Sequence, residues 1–364
     1  MNIYRIAPSV RIFSTEDTYD SFMDELPLAP EWTTDILGPD YQRRTFQLGT
    51  DPDGEGTVIT TLVRHCRLLK QDQHNAPAML FIHGMSDYFF LTHVAEFLAS
   101  AGWAVYGIDL RKCGRSWRKG QHWHHTSALQ FYFDDLSIVL DELARRHNKI
   151  VCNAHSTGGL TVALWLDELR RNDPARHAKI AGAILNSPWF EMMYSRPKVQ
   201  FGTFVYNVLG KVRPQKQLHQ EPIAAYGQSL HMSQFGDWDY NLTYKPLGGQ
   251  VKNNAWLRTI LLNQRRIHRG QIDCGVPLLV LCSTESWLRP EFSERIHTSD
   301  GVLDVHQIRR WSYAISKNVT VKGIPGARHD VYLSKPEPLQ SALDITLKWA
   351  NAIIDAPSAQ DNQE

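Results

Sequence analysis

Residues 150–160 read IVCNAHSTGGL, a run of strand-forming residues that leads to His155 and Ser156 and on to Thr157, Gly158 and Gly159. The next residues, LTVALWLDELRR, have the spacing of a helix. A serine at such a junction has two uses. It can cap the helix through its hydroxyl. It can also act as a nucleophile, but only if a base takes its proton and N–H donors hold the oxyanion that forms. A sharp strand–turn–helix suits the second use. It lifts the hydroxyl above the carboxyl edge of the sheet, aims the helix N-terminus at the reacting centre, and demands small neighbours. Ala154, Gly158 and Gly159 meet that demand. A second candidate is QHWHHTS, in which His122, His124 and His125 could hold zinc. Zinc needs converging ligands, and no H-E-x-x-H or Cys/His spacing accompanies the run. It therefore reads as a rim loop, and no metal is assigned.

The flanking sequence supplies elements able to position the junction. RRTFQLG and TVITTLVRHCRLL read as strands around the turn TDPDGEG. AMLFIHG (78–84), WAVYGIDL (103–110) and KIAGAILNSP (179–188) read as further strands, and HVAEFLASAG and ALQFYFDDLSIVLDELARRH as helices. This alternation predicts an α/β fold, a mostly parallel central sheet flanked by helices. The rhythm breaks over 190–270, which carries aromatics, Pro and Gly, and resumes with VPLLVLCST, VLDVHQIRRWSYAI, NVTVKGI and PLQSALDITLKWANAII. The expected organisation is an N-terminal extension over 1–41, a core over 42–189 and 271–355, an inserted cap over 190–270, and a polar tail over 356–364. Trp189, Phe190, Phe201, Phe204, Tyr206, Trp238, Tyr240 and Trp256 suit either an acyl pocket or the cap's own core. WLRTILLNQRRIHRG has an apolar stripe and a basic face, which fits a helix docked on the domain or one lying on a membrane surface.

Lys+Arg 39 against Asp+Glu 38 leaves a net charge of +1. A nucleic-acid-binding chain would show a basic excess. Basic residues cluster locally in RKCGRSWRKG (111–120), which reads as a solvated loop. Cys66, Cys113, Cys152, Cys274 and Cys282 form no C-x-x-C pair. Cys152 and Cys282 sit in apolar runs and read as buried reduced thiols, which suits a reducing compartment. The start, MNIYRIAPSVRIF, lacks the apolar core of a secretory signal. No run approaches the ~18 apolar residues of a membrane span. The expectation is a soluble, cytoplasmic protein with a small-molecule partner and no nucleic acid.

In its strand–turn–helix context, A-H-S-T-G-G resembles the nucleophile elbow of α/β-hydrolases, G-x-S-x-G, with Ala154 in place of the first glycine. LFIHGMSD (80–87) is similar to the family's His-Gly oxyanion loop. That likeness implies the backbone N–H groups of Met85 and Thr157 as the oxyanion hole, with His83, Gly84 and His155 lining the substrate site. Gly326-Ala327-Arg328-His329-Asp330 resembles the family's G-x-x-H-[DE] signature and implies His329 as the base. The orienting acid is expected in a pattern close to L-x-G-x-x-D, but this chain reads LCSTES, with Ser286 at the acid's place. Asp300, in TSDGVLDV, resembles the D-x-V motif that often carries the acid, and WLRPEFSERIHT then reads as a loop inserted before it. Glu285 and Asp304 are the alternatives, and Asp304 also suits the first turn of a helix.

The order Ser156, Asp300, His329 is the nucleophile–acid–base order of that family. GIDLRKCGRS (107–116), similar to D-x-R-G-x-G-x-S, points to the branch of monoacylglycerol lipases, lysophospholipases and serine aminopeptidases. The resemblance implies a serine hydrolase, without a cofactor, that cleaves carboxylic esters of an apolar acyl chain through an acyl-enzyme. A peptidase or amidase on the same triad is the first alternative. It would need an acidic anchor for the substrate amine, and the cap offers few: Glu191, Glu221, Asp237 and Asp239. A binding protein that holds a ligand without turnover is the second.

Overall fold

The computed structural model describes residues 25–66, 76–218 and 224–356. The polar tail beyond Ala356, the first part of the N-terminal extension and Glu221 lie outside the described residues.

Among the described residues, nine strands form one sheet in the order β1-β2-β3-β5-β4-β6-β7-β8-β9. The first three, β1 (Thr33–Asp35), β2 (Gly38–Thr50) and β3 (Thr57–His65), are antiparallel, and β3 joins the rest through an antiparallel pairing with β5. The remaining six run parallel: β4 (Ala78–Ile82), β5 (Ala104–Asp109), β6 (Ile150–His155), β7 (Ile180–Asn186), β8 (Leu278–Ser283) and β9 (Val319–Ile324). β1 and the start of β2 fall within the stretch read as an N-terminal extension, yet belong to the sheet.

Parallel strands covered on both faces read as continuous apolar runs, and β4, AMLFI, is buried at all five positions. The pleat sends alternate residues to opposite faces. Leu80 and Ile82 join Cys152, Leu136 and Trp165 on one face, under α2 (Phe131–Ala144) and α3 (Thr157–Asn172). Met79 and Phe81 join Val94, Leu98 and Leu343 on the other, under α1 (Thr92–Ser100) and the closing α9 (Pro336–Asp355). The short α4 (Pro174–His177) follows α3, and α8 (Val305–Ser312) precedes β9.

Between β7 and β8 lie α5 (Arg196–Val212), α6 (Ala224–Leu230) and α7 (Asn254–His268). The apolar stripe of α7 is not free to meet a membrane, because Trp256, Ile260 and Ile267 sit in the main core. The aromatics of this region divide. Phe190, Tyr240 and Trp256 are buried, whereas Phe201 and Phe204 on α5 are 71% and 72% exposed.

The basic stretch 111–120 departs most from its sequence reading. Arg111, Lys112 and Arg115 are buried rather than solvated. Arg115 is clamped between Asp35 on β1, at 2.8 Å, and Asp109 on β5, at 2.7 Å. Arg111 pairs with Asp135 of α2 at 2.6 Å. Lys112 reaches into the β2–β3 turn, 2.5 Å from Asp51 and 3.0 Å from Glu55. The partners come from elsewhere in the chain, so local composition could not reveal them. Removing one partner of a buried ion pair strands the other charge, which costs about 3–5 kcal/mol. Arg115→Met is expected to lower the unfolding free energy by about that amount, read by urea denaturation. A loss under about 1 kcal/mol, the size of a surface pair, would show that the clamp is not structural.

Candidate active site

The parallel register brings the carboxyl ends of β4 and β6 side by side, with Ile82 opposite Ala154. At the end of β6 the chain turns into α3 through Ser156, whose φ is 52° and ψ −115°. A residue with a Cβ is held there at a cost of about 1–3 kcal/mol. The small neighbours explain how. A Cβ on Gly158 would stand 2.5 Å from the carbonyl oxygen of His83, and one on Gly159 2.7 Å from Pro188 Cβ. Ala154 is fully buried and tolerated. The Ser156 N–H donates to the Asn186 carbonyl at 2.9 Å, which ties the turn to β7.

Ser156 Oγ lies 3.1 Å from His329 Nε2, in the loop after β9. His329 Nδ1 lies 2.9 Å from Asp300 Oδ2. Asp300 is fully buried, and its Oδ1 accepts the N–H groups of Val302 and Leu303, each at 2.8 Å. One oxygen is thus fixed by the backbone and the other is left for the imidazole. Neither alternative acid comes near. The Glu285 side chain is 67% exposed and pairs with Arg295 at 3.5 Å. Asp304 caps α8, its carboxylate accepting the His306 N–H at 2.9 Å. The bridge Ser286↔Asp300, with the Trp287 N–H donating to the Asp300 carbonyl at 2.8 Å, closes off residues 287–299 as a side loop. Asp300 thereby stands beside Ser286, the position where the family pattern expects the acid.

Thr157 is the first residue of α3. Met85 and Ser86 follow β4, with Ser86 at φ 59°. Gly84 packs against the turn, for a Cβ there would meet Ser156 Cβ at 3.0 Å. His83 is buried, with Nε2 accepting the Leu110 N–H at 3.1 Å and Nδ1 lying 2.8 Å from the Gly84 carbonyl. Both ring nitrogens are engaged by backbone, so His83 fixes the loop and offers a substrate no free polar atom. The His155 ring lies 4.8 Å from that of His329, and burial pushes its pKa down to about 4. His124 and Cys113 sit 3.2 Å apart behind this loop, and His122 pairs with Glu55 at 2.7 Å, so the histidine run does not converge on itself.

Four neighbours carried no sequence signal. Tyr226 of α6 sets its ring edge-on to His329, 5.7 Å between centroids, and accepts the Asp330 N–H on its hydroxyl at 3.0 Å. Asn186 donates to Asp330 Oδ1 at 2.7 Å. Lys245 pairs with Asp87 at 2.7 Å. Arg328, wholly buried beside His329, donates to the Leu333 carbonyl, His297 and Asp237. Each is brought to the site by at least one contact distant in sequence. Because the His83 carbonyl is backbone, Gly158→Ala forces β4 and α3 apart. It is expected to abolish labelling of Ser156 by a fluorophosphonate and to lower the melting temperature. Unchanged labelling would show that the close approach does not define the turn.

The sequence model described as "Serine aminopeptidase, S33" matches residues 73–335. No curated protein matches the chain. Among solved structures, the monoacylglycerol lipase of Paleococcus ferrophilus is similar, with a TM-score of 0.57 at 20% identity, covering 86% of this chain and 100% of its own. A soluble variant of the Saccharomyces cerevisiae monoglyceride lipase, in complex with a substrate analog, gives 0.57 at 14% identity, covering 91% and 98%. A thermophilic esterase of Thermogutta terrifontis gives 0.54 at 16%, covering 85% and 99%. At these identities the structures speak for the fold, whereas the family match spans well over half of the chain. The chain belongs to the serine aminopeptidase (S33) family of α/β-hydrolases and is a serine hydrolase.

Proposed function

We propose that the protein cleaves carboxylic esters with an apolar acyl chain, as a monoacylglycerol lipase or lysophospholipase does, through an acyl-enzyme on Ser156. The observation that carries this reading is the hydrogen-bonded line Ser156 Oγ–His329–Asp300, at 3.1 and 2.9 Å. His329 takes the serine proton and returns it to the leaving group. Asp300 fixes the ring and stabilises its charged form. The N–H groups of Met85 and Thr157 hold the oxyanion. Water then releases the acyl group, and no cofactor takes part. Residues 190–270 act as a cap over this site, supported by Tyr226 standing on His329 and by Lys245 on Asp87.

The ester reading is favoured over an aminopeptidase by the cap acids. Glu191 is engaged by Arg310 and Trp311, Asp237 by Arg328 and Lys335, and Asp239 faces His231 from an exposed position. Glu191 and Asp237 are thus held by partners, and Asp239 stands exposed.

The exposed stripe of α5 supports contact with a lipid surface. Phe201, Phe204, Val208 and Val212 recur on one face, with Arg196, Lys198 and Lys211 on the same helix. No described helix is long and apolar enough to cross a membrane, so the contact would be interfacial. All five cysteines are buried and outside any disulfide, which supports a cytoplasmic location.

Two experiments test these readings. Wild type should be labelled by a fluorophosphonate and should hydrolyse p-nitrophenyl esters, with Ser156→Ala silent in both. Asp300→Asn should lower kcat by about 10⁴, whereas Glu285→Gln should stay within about twofold. Failure of wild type to label would remove the hydrolase mechanism, and faster turnover of amino-acid arylamides than of esters would favour the peptidase. In vesicle sedimentation, Phe201→Ser with Phe204→Ser should reduce binding to anionic liposomes at unchanged activity on a soluble ester. Equal sedimentation of both proteins would exclude α5 as the contact.

A further inference from the structure

Behind the reacting serine, three side chains from three loops converge. Asp87 follows β4, His155 ends β6, and Asp330 follows β9. One ligand atom of each lies within 4.8 Å of the other two. The same three residues, with Asn186 and Tyr332, line a cavity of about 20 Å³. A cavity of ~10–15 Å³ already holds one water-sized occupant.

The donors and acceptors around this cavity do not balance. Asp330 Oδ1 accepts from Asn186 and from the Tyr332 N–H, and Asp87 Oδ1 from the Tyr88 N–H, with Lys245 also 2.7 Å away. Among the described residues, Oδ2 of each carboxylate has no hydrogen-bond partner. His155 Nδ1 lies 3.2 Å from the Asn186 carbonyl, which can only accept, so that nitrogen carries the hydrogen. Nε2 then holds a free lone pair. The group thus brings together two carboxyl groups and one imidazole, with a single lysine beside Asp87. A water has two hydrogens and cannot satisfy three converging acceptors, whereas a cation can.

We infer that Asp87, His155 and Asp330 form a binding site for a borderline divalent cation, of the zinc or manganese class. Two carboxylates and an imidazole are the donor set such ions accept. Bonds of about 2.1 Å let one ion span the three groups after small side-chain adjustments. The site lies next to each part of the reaction centre in sequence. Asp87 stands two residues after Met85, His155 directly before Ser156, and Asp330 directly after His329. A bound ion cross-links the oxyanion loop, the serine turn and the base loop, and so stabilises their mutual placement. It is not a reactant. A second buried trio, His83, Cys113 and His124, also lies within 4.8 Å, but both His83 nitrogens are engaged and burial keeps the Cys113 thiol protonated.

Mn²⁺ is the probe of choice, because it prefers oxygen and imidazole and avoids the thiol of that second trio. Titration of the full-length protein, followed by the electron paramagnetic resonance of free Mn²⁺, is expected to give one bound ion per chain. The melting temperature should rise with Mn²⁺. Asp330→Asn and Asp87→Asn keep the Oδ1 acceptors and should each weaken binding by about tenfold or more. Lys245→Met removes the competing charge and should tighten it. No bound Mn²⁺ in wild type, or binding that neither Asn variant changes, overturns the proposal. Should one variant fail to fold, the other still decides. The titration uses no substrate, so its failure and a failure of the ester-hydrolase reading are separable.

Discussion

The backbone of Ser156 is the constraint from which the rest of the site follows. Its positive φ is disfavoured for any residue with a side chain. It persists because β6, β4 and β7 grip the turn from three sides. The Asn186 carbonyl takes the Ser156 N–H, and Gly158 lets α3 close onto the His83 carbonyl. That approach leaves no room for a methyl group, so glycine is required there by space. The same contact sets the loop after β4 against the serine turn, because His83, Gly84 and Met85 continue directly from β4. Placing Ser156 and placing the loop after β4 are thus one packing event.

The carboxylate side is solved differently. β8 ends at Ser283, and the chain then wanders through residues 287–299 before delivering Asp300. The single bridge between Ser286 and Asp300 makes that excursion harmless. Ser286 completes it by donating from its hydroxyl to the Leu303 carbonyl while accepting the Val305 N–H. A loop of this length costs little chain entropy beyond a shorter one, so the insertion is tolerated as long as its two ends are pinned. The side loop also contributes: His297 from it meets Arg328, the residue before His329.

Buried charge is unusually concentrated in this chain. Arg111, Lys112 and Arg115 lie within five positions, and each finds its acids on a different element. Such pairs stabilise less than their number suggests, because desolvation offsets attraction. What they do supply is geometry. Asp35 and Asp109 hold the antiparallel edge against β5 through one guanidinium, and Asp109 also accepts the Phe89 N–H at 2.8 Å, in the loop that follows β4. Stability of the edge and shape of the site share these atoms.

The sequence by itself determined the elements and their order. Periodicity of two and of 3.6 residues is a local property, so the alternation of strands and helices, the serine turn with its small neighbours, and the histidine after the last strand were all legible. Residue type also limited the chemistry, since a serine set among small residues before a helix has few uses. What only the tertiary structure decided is what depends on distant partners. It set Asp300, rather than Glu285 or Asp304, against His329, because a bridge between residues 286 and 300 is invisible to spacing. It turned a basic loop from solvated to buried, because the neutralising acids lie up to 80 positions away. It exposed Phe201 and Phe204 while burying Trp256, although all three are aromatics of one region. It also gathered Asp87, His155 and Asp330 from three loops into one cavity. Composition and period report what a residue can do, but burial and charge pairing are set by what packs against it.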